Sequence, residues 1–505
     1  MITERLHARA VEHADRAFVV TDHGEISYGE MSRLVRLYAA KLAERIRPGQ
    51  TVALLCGNRP GFLVAWFALS DIGAITVPLN TGLVGDSLRY TLTQSGAVLL
   101  LIERELYDAL QSTLAELDVE LPVEFIDESV ESIPSGGQTF VPRPQAKDAP
   151  NSILYTSGTT GLPKGAVLSH GAYRMAGVDM TQSLGLTRDD RILVFLPLFH
   201  ANPQMYAVMP ALEVGATLVL LPKFSASGLF EAAHRHRATG FTYVGTVLSI
   251  LVKRYETPQR DHGLRWCVGG GAPAEIWRTV EDRFGIPVRE LYGMTETGGW
   301  VSMNTADATR LGSVGLPRKG VEISIRGERG ACPVGERGEI VVRASDPVTF
   351  FKEYWNNPQA TAVTLRDGWL HTGDRGWCDA DGFLFFDGRL KELIRRGGEM
   401  ISPAEIELQV LKHPSIRECA VFAVPDEILG EEVAVAIVAD QPVIAGELLQ
   451  FLTGRLPLHM LPRFVALTDA LPKTETEKIK RHELNSLLAA AVDLRNPGAS
   501  MRSKD

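Results

Sequence analysis

The sequence predicts an α/β fold with a large N-terminal domain followed by a small α+β C-terminal domain. Short apolar strands alternate with helical patterns up to about position 300, which predicts two layered αβ subdomains. From about 312 to 388 the pattern changes to short strands and glycine turns, which is typical of a small β-barrel-like subdomain. A compact α+β pattern then follows to about position 492.

The αβ layers are predicted from aliphatic runs that are too short for helices. Continuous apolar runs of this length indicate strands buried on both faces, as in a parallel sheet covered by helices. A turn-rich stretch at about 131–150 separates the two layers. The predicted strands are 51–55, 74–77, 97–102, 191–195, 217–221 and 241–244, with a helix over 227–238.

The C-terminal part of the chain supplies the remaining elements. Alternating strands at 321–326 and 339–343 belong to the β subdomain. Beyond it, the predicted elements are a helix after Ser402-Pro403, strands at 420–424 and 433–438, and a helix that begins near Ala445.

Composition excludes several functional classes. The chain has 505 residues, 45% hydrophobic and 22% charged, and its net charge of −9 disfavours nucleic acid as a partner. The five cysteines form no CxxC pair, which argues against zinc and against a disulfide framework. The N-terminus has no apolar signal core, and no run reaches the ~18 apolar residues that a membrane span requires. We therefore expect a cytoplasmic protein without a membrane span.

A glycine- and hydroxyl-rich segment has the composition of a phosphate-binding loop. A short buried strand at 151–155 leads into Tyr155-Thr-Ser-Gly-Thr-Thr-Gly-Leu-Pro-Lys164. Glycines let backbone N–H groups turn inward, hydroxyls add donors and the lysine adds a positive charge, so the loop suits a polyphosphate. An ordinary Ser/Thr/Gly surface loop is the alternative. The predicted ligands are Thr156, Ser157, Gly158, Thr159, Thr160 and Lys164.

This loop is not a Walker A sequence, because its lysine follows Leu162-Pro163 and precedes Gly165. It resembles the signature loop of the adenylate-forming superfamily, which holds acyl-CoA synthetases, luciferases and peptide-synthetase adenylation domains. Further segments, in the family's order and along nearly the whole chain, resemble its other motifs. They are Leu196-Pro-Leu-Phe-His200, Gly269-Gly-Gly-Ala-Pro273, Tyr292-Gly-Met-Thr-Glu-Thr297, Thr372-Gly-Asp374, Gly388-Arg-Leu-Lys391 and Leu471-Pro-Lys-Thr-Glu-Thr-Glu-Lys-Ile479.

The resemblance implies a nucleotide site. The segment Tyr292-Gly-Met-Thr-Glu-Thr297 is called the second anchor motif here. In the family its tyrosine stacks on adenine, its threonine contacts the α-phosphate and its glutamate ligates magnesium. An aspartate and an arginine grip the ribose hydroxyls, for which a carboxylate is well suited. The implied ATP- and AMP-binding residues, beyond the loop itself, are Gly271, Ala272, Pro273, Tyr292, Gly293, Thr295, Asp374 and Arg389, with Glu296 as the Mg²⁺ ligand.

The resemblance also implies how two domains share the chemistry. The implied catalytic residues are Lys478, His200, Thr295 and Glu296. In the family, the lysine at the position of Lys478 bridges the substrate carboxylate and the α-phosphate. The family usually has glycine before this lysine; here Glu477 stiffens the loop and adds a negative charge. The hinge falls at Lys391, between predicted domains 1–390 and 391–505. Because Lys164 and Lys478 lie on opposite sides of it, one domain must close on the other.

For the second substrate, Gly397 and Gly398 would line a passage for the pantetheine arm of coenzyme A, since any side chain there would fill the space the thiol chain needs. The neighbouring Arg395 and Arg396 are read either as a solvated charged face or as contacts to the phosphates of coenzyme A. The acyl pocket is predicted around Val244, Gly270, Gly298 and Trp300, and Trp300 is a candidate to stack on a quaternary ammonium group.

Together these features predict an ATP-dependent ligase that activates a carboxylic acid as acyl-AMP and transfers it to coenzyme A, with ATP, Mg²⁺ and coenzyme A as the required small molecules. The stretches 350–362, 367–374 and 395–402 resemble the crotonobetaine/carnitine-CoA ligase-like branch most closely. Three alternatives stay open: a ligase that loads a carrier protein, a luciferase-type oxygenase, and a non-catalytic nucleotide-binding pseudoenzyme. The acid and the oligomeric state, a homodimer included, are left open.

Overall fold

A computed structural model of the chain describes residues 1–117, 120–126, 137–156, 162–327, 329–390, 394–401, 403–472, 479 and 481–495. For Arg389, Met400, Ala404, Arg481 and His482 only the backbone is described. The predicted residues Ser157, Gly158, Thr159, Thr160, Lys391 and Lys478 lie outside the described residues.

Helices cover both faces of the two N-terminal sheets and recur in the C-terminal region. The described α-helices are α1 (Thr3–Glu12), α2 (Tyr28–Ala43), α3 (Pro60–Ile72), α4 (Gly85–Ser95), α5 (Arg104–Ala115), α6 (His170–Leu184), α7 (Ala201–Pro203), α8 (Met209–Val214), α9 (Leu229–Arg235), α10 (Gly245–Arg254), α11 (Ala274–Thr279), α12 (Pro358–Thr364), α13 (Pro403–Val410) and α14 (Ala445–Leu452). Two π-helical segments, Gln204–Val208 and Val280–Phe284, continue α7 and α11. Short 3₁₀ segments are Thr295–Thr297, Pro347–Thr349, Leu458–Met460 and Arg481–Ala490.

Strands follow the same order along the chain. Those of the two αβ layers are β1 (Ala17–Thr21), β2 (Gly24–Ser27), β3 (Thr51–Leu55), β4 (Ile75–Pro78), β5 (Leu100–Ile102), β6 (Val123–Phe125), β7 (Pro150–Thr156), β8 (Lys164–Ser169), β9 (Arg191–Val194), β10 (Thr217–Leu220), β11 (Gly240–Val244), β12 (Trp266–Gly270), β13 (Val288–Tyr292), β14 (Ser302–Met303) and β15 (Leu316–Pro317). The β subdomain and the C-terminal domain contain β16 (Val321–Gly327), β17 (Gly330–Ala331), β18 (Gly338–Ala344), β19 (Leu365–Arg366), β20 (Trp369–Cys378), β21 (Leu384–Arg389), β22 (Ile394–Arg396), β23 (Glu399–Ile401), β24 (Ile416–Asp426), β25 (Gly430–Ala439), β26 (Phe464–Leu467) and β27 (Val492–Asp493).

Four sheets organise these strands among the described residues. The order β6-β5-β3-β4-β7-β8 forms the first, and β15-β14-β13-β12-β11-β9-β10-β1-β2 forms the second. Both are parallel at their centres, as the buried aliphatic runs predict. An antiparallel sheet of β16 to β21 follows, and β22 to β27 form the sheet of the C-terminal domain. The predicted α/β class, with a large N-terminal and a small C-terminal domain, is confirmed.

The N-terminal segment ahead of β3 contributes to the second sheet, although the sequence pattern groups it with the first. The hairpin β1–β2 adds to the far edge of the second sheet, where Val19 pairs in parallel with Leu218. This pairing joins strands that are far apart in the chain, and a local hydrophobic pattern holds no information about such a distant partner.

Helix α3 fills the space between the two sheets. Every residue from Phe62 to Ile72 is buried, so the helix is apolar on all sides, as expected for a core helix. Trp66 donates its indole N–H to Asn151 Oδ1 at 3.0 Å, which attaches α3 to β7 just before the predicted phosphate-binding loop. Within the described ranges, no helix is long and apolar enough to cross a membrane.

Candidate functional site

The candidate site lies where four neighbouring parallel strands of the second sheet end. Strands β9, β11, β12 and β13 are adjacent, and their carboxyl ends lead into His200, Val244, Gly270 and Tyr292. Ligands of open α/β sheets bind outside the carboxyl ends of the strands. Three of the predicted motifs and the predicted acyl-pocket residue Val244 therefore meet at one edge because of the sheet topology.

Glycines allow the strand ends to approach each other closely. Val244 and Gly270 are directly paired, and a Cβ at Gly245 would lie only 1.8 Å from the carbonyl oxygen of Gly271. Gly271 itself has φ +91°, which an L-residue with a side chain rarely adopts. The Gly270–Ala272 turn is thus fixed by close backbone packing.

A buried glutamate that the sequence analysis missed also fixes this turn. Glu290 Oε1 accepts the backbone N–H groups of Gly271 at 2.5 Å and Ala272 at 3.1 Å, and Oε2 accepts the Tyr243 hydroxyl at 2.5 Å. Burial raises the pKa of Glu290 to about 8, while these three donors act in the opposite direction. The available signal was strand alternation, since residues two apart on β13 face the same side and Tyr292 follows Glu290 by two.

The second anchor motif and the Thr-Gly-Asp motif meet through one hydrogen bond. The Tyr292 hydroxyl donates to Asp374 Oδ2 at 2.7 Å, and both side chains are buried. Phe386 on β21 stacks against the Tyr292 ring at a centroid distance of 5.7 Å. Asp374 pairs in register with Arg389, so β20 and β21 bring together the two residues predicted to hold a ribose.

Glu296 joins the phosphate-binding segment to the second anchor motif. Its Oε1 accepts the Tyr354 hydroxyl at 2.7 Å and the Thr156 hydroxyl at 3.3 Å. The Lys164 ammonium lies 5.2 Å from the centroid of the Tyr354 ring. Although Glu296 and Thr156 are far apart in the chain, the fold makes them neighbours. Tyr354 is a second residue that the motifs did not identify.

Glu296 is the candidate metal ligand in this part of the site. Among the described residues, no group of three or more His, Cys, Asp or Glu side chains could hold a metal ion. Mg²⁺ bound with substrate phosphates needs only one or two protein carboxylates, because phosphate oxygens and water complete its octahedron. Glu296 with the neighbouring Thr156 hydroxyl fits that donor set and does not fit a dedicated protein metal cage.

The other residues predicted to contact the nucleotide lie in the turns that follow β12 and β13. Thr295 begins the 3₁₀ turn Thr295–Thr297 and is half-buried. Pro273 precedes α11 as its N-cap. A Cβ at Gly293 would lie 2.1 Å from the carbonyl oxygen of Gly299, so Gly293 lets the 298–300 segment pack directly behind the motif.

The C-terminal domain contacts the other end of the site. His200 Nε2 and Glu399 Oε1 are 3.2 Å apart, and the imidazole also lies against Phe199. Burial raises the pKa of Glu399, but the facing imidazole and its hydrogen bond outweigh burial and hold that pKa at about 2. Gly398 has φ +90°, and a Cβ there would lie 2.7 Å from Val244 Cγ2. Gly398, one of the two predicted channel glycines, therefore closes over the end of β11. Glu399 is a third residue that the motifs did not assign.

A buried arginine supports the segment predicted as the pocket wall. Arg318 donates to the carbonyl oxygens of Gly298 at 3.4 Å and Trp300 at 3.3 Å, and pairs with Asp179 at 2.5 Å. Its guanidinium lies 4.9 Å from the centroid of the Trp300 ring, and Trp300 is only 2% exposed. One face of this indole is therefore already covered by a cation, which leaves less ring surface for a quaternary ammonium substrate.

Replacing Arg318 with methionine is expected to destabilise the protein by about 3–5 kcal/mol, because Asp179 would remain as a buried, uncompensated charge. Urea unfolding of the full chain measures this loss. The double variant R318M/D179N removes both charges and should recover most of it. A double variant as unstable as the single one would show that the ion pair itself contributes the stability.

Two family models and several known proteins match the chain. A family model described as AMP-binding enzyme matches residues 6–355, and one described as AMP-binding enzyme C-terminal domain matches residues 405–478. The chain is 37% identical to indoleacetate–CoA ligase of Aromatoleum aromaticum, covering 92% of this chain and 94% of that protein. It is 34% identical to crotonobetaine/carnitine–CoA ligase of Escherichia coli, covering 87% and 89%.

Two solved structures of one relative resemble the present structure to different degrees. A double mutant of o-succinylbenzoate CoA synthetase from Bacillus subtilis, bound to a product analogue, matches with TM-score 0.87, 30% identity and coverage of 95% of this chain and 98% of that chain. The same enzyme with its acyl-adenylate intermediate matches with TM-score 0.70, at 30% identity and 95% and 97% coverage. Because identity and coverage are nearly equal, the arrangement of the chain here is closer to that of the product-analogue complex.

Proposed function

Since the chain belongs to the family of AMP-binding enzymes, we propose that it is an ATP-dependent acyl-CoA ligase, which converts a carboxylic acid to acyl-AMP and then to acyl-CoA. One observation supports this function above the others. The residue pairs proposed to bind the nucleotide are Tyr292 with Asp374 and Glu296 with Thr156. At the same edge of the sheet, Gly398 and Glu399 of the C-terminal domain contact Val244 and His200. A site for a nucleotide alone would not need that second domain.

In the proposed first step, an oxygen of the acid attacks the α-phosphorus of ATP and pyrophosphate leaves. Negative charge grows on the α-phosphate, so donors and cations held in place beforehand lower the barrier. We assign Thr295 and Lys478 to the α-phosphate, and Lys164 with the 156–160 loop to the leaving phosphates. Magnesium bound at Glu296 would supply further charge neutralisation there.

The nucleoside is assigned to the neighbouring surface. Tyr292 and the Gly271–Pro273 backbone would hold adenine, with Gly293 leaving room behind them, and Asp374 with Arg389 would bind the ribose. Glu290 acts through the backbone it fixes, since it accepts the N–H groups of Gly271 and Ala272. Positioning of this kind converts a bimolecular encounter into an intramolecular reaction.

In the proposed second step, the thiol of coenzyme A attacks the acyl carbonyl and AMP leaves. We propose that the C-terminal domain rotates about Lys391 between the two steps. The likeness to the product-analogue complex supports reading this structure as the arrangement for thiol transfer. For this arrangement we assign Gly397 and Gly398 to the passage for the thiol arm and His200 to its entrance. The acyl pocket is assigned to Val244, Gly270, Gly298 and Trp300.

A panel of carboxylic acids tests this function directly. Pyrophosphate release should depend on one acid, and acyl-CoA and AMP should appear only when coenzyme A is added. The relatives' names justify including indoleacetate, ferulate, crotonobetaine and o-succinylbenzoate beside straight-chain acids. Acid-dependent pyrophosphate release without acyl-CoA would favour a carrier-protein acceptor, and no release across the panel would favour a pseudoenzyme.

Replacing Asp374 with alanine is expected to raise the KM for ATP by about tenfold or more, because hydrogen bonds to a charged group contribute about 1.5–3 kcal/mol. The KM for the acid should change much less. Asp379→Ala is the matched control, because this carboxylate pairs with Arg310 at the surface. Equal effects of the two substitutions on the KM for ATP would contradict the ribose assignment.

A further inference from the structure

The two domains make a second contact, away from His200 and Glu399. There, helix α13 of the C-terminal domain lies on the first turn of α4. Ser87 Oγ donates to Glu405 Oε1 at 2.8 Å, and Gln409 Nε2 donates to Asp86 Oδ2 at 3.2 Å. Lys412 pairs with the same Asp86 carboxylate. The contact joins widely separated segments of the chain.

The backbones of the two domains also approach each other closely at this contact. Gly85, with φ +53°, starts α4, and a Cβ there would lie 2.8 Å from the carbonyl oxygen of Gly454. The contact is therefore close-packed, and water has little access to the side chains inside it. Ser87, Glu405 and Gln409 are all buried, with Glu405 only 4% exposed.

Glu405 is the unusual member of this contact. Its Oε2 is buried and has no hydrogen-bond partner among the residues that the structure describes. Burial raises the pKa of Glu405 to about 7, and the hydrogen bond from Ser87 only partly opposes it. Leaving a buried carboxylate unpaired is costly, whereas a protonated carboxyl group is tolerated.

The charged groups around the contact are paired with one another. From α4, Asp86 pairs with Arg89 and with Lys412, the latter following α13. After α14, the Arg455 guanidinium lies 4.4 Å from the centroid of the Phe451 ring. Burial and the nearby Arg455 lower the pKa of Lys412. None of these cations is bonded to Glu405 within the described ranges, so the interface lacks a counter-ion for its carboxylate.

We propose that Glu405 and Ser87 are positioning residues for thiol transfer, and that Glu405 takes up a proton when the C-terminal domain turns into the arrangement seen here. This inference rests on the proposed function, because it requires two arrangements of the domains. In the other arrangement, helix α13 leaves α4 and the carboxyl group returns to solvent, where a glutamate pKa is about 4.3.

The difference in bound protons between the two arrangements determines how the population of the thiol-transfer arrangement changes with pH. The thiol-transfer arrangement binds one more proton than the other arrangement at pH values between about 4.3 and 7. Its population relative to the other arrangement is greatest below about pH 4.3, falls about tenfold per pH unit between about 4.3 and 7, and changes little above pH 7. Adenylation, which uses the other arrangement, should not lose rate in this way.

Glu405→Gln tests the inference. Glutamine keeps an oxygen that accepts the Ser87 hydroxyl but cannot ionise. Thiol transfer is measured in single turnovers of the full-length enzyme with preformed acyl-adenylate and coenzyme A, from pH 5 to pH 9. The ratio of the E405Q rate to the wild-type rate should rise about eightfold from pH 5 to pH 6, about fivefold from pH 6 to pH 7 and less than about twofold from pH 7 to pH 8. Ionisation of the coenzyme A thiol affects both proteins equally and cancels in the ratio.

Glu407→Gln is the matched control, because Glu407 lies on the same helix but accepts the Val421 N–H within its own domain. Its ratio to wild type should not change with pH. A second variant, Ser87→Ala, should slow thiol transfer at every pH and leave adenylation unchanged. A flat E405Q ratio, the same rise in E407Q, or an equal loss of adenylation in S87A would each overturn the inference. Failure of the proposed function would instead appear as wild-type enzyme that forms no acyl-adenylate.

Discussion

Replacing Lys478 with alanine is expected to slow formation of the acyl-adenylate at least ~10²- to 10³-fold, the loss typical of removing one preorganised donor from a developing charge. Thiol transfer from supplied acyl-adenylate should stay largely intact, because in the proposed cycle the lysine has left the site by then. The two steps are measured separately, by pyrophosphate release and by acyl-CoA formation from the adenylate.

Lys473→Ala is the matched control, since it removes the same charge from the same terminal segment. It should leave pyrophosphate release near the wild-type rate. Equal loss of both steps in K478A would contradict the assigned role, as would equal loss of pyrophosphate release in the two lysine variants. A further variant, Glu477→Gly, restores the residue usual in the family and tests whether the extra carboxylate slows adenylation.

Much of the fold follows from local pattern. The predicted strand 51–55 is β3 itself, and the predicted strands 191–195 and 217–221 end within one residue of β9 and β10. Runs of aliphatic residues between turn residues are a strong local signal. The predicted helix 227–238 is shorter in the structure, Leu229–Arg235, because Gly228 caps it and Arg237 has φ 51°.

The candidate site could be predicted only as separate motifs. Tyr292, Glu296 and Asp374 were identified from the resemblance, but nothing local indicates that Tyr292 bonds to Asp374 or that Tyr354 bonds to Glu296. These bonds depend on strand order, which the chain determines through long-range packing.

The contacts between the two domains could not be predicted from the sequence pattern. In the sequence, Ser87 and Glu405 are an ordinary hydroxyl on one helix and an ordinary acid on another, and only their packing makes the acid buried. The channel glycines are predicted from the resemblance, and Val244, which packs against Gly398, is predicted separately as part of the acyl pocket. The structure places Gly398 and Val244 in contact and so connects the two assignments.

Replacing Gly398 with leucine is expected to reduce thiol transfer at least ~10²-fold while acyl-adenylate still forms. A Cβ at this position would lie 2.7 Å from Val244 Cγ2, and φ +90° is strained for any L side chain. The leucine would both fill the proposed passage and prevent the domain from seating, and displacement of a reacting group by about 1 Å can cost 10²-fold in rate.

Gly446→Leu is the matched control, because a Cβ at Gly446 meets nothing within 4 Å in the same domain. It should leave both steps unchanged. Retained adenylation in G398L would also show that the C-terminal domain is folded, since the lysine assigned to adenylation belongs to that domain. Thiol transfer at the wild-type rate in G398L would mean that the thiol reaches the acyl group by another route, and the channel assignment would fail.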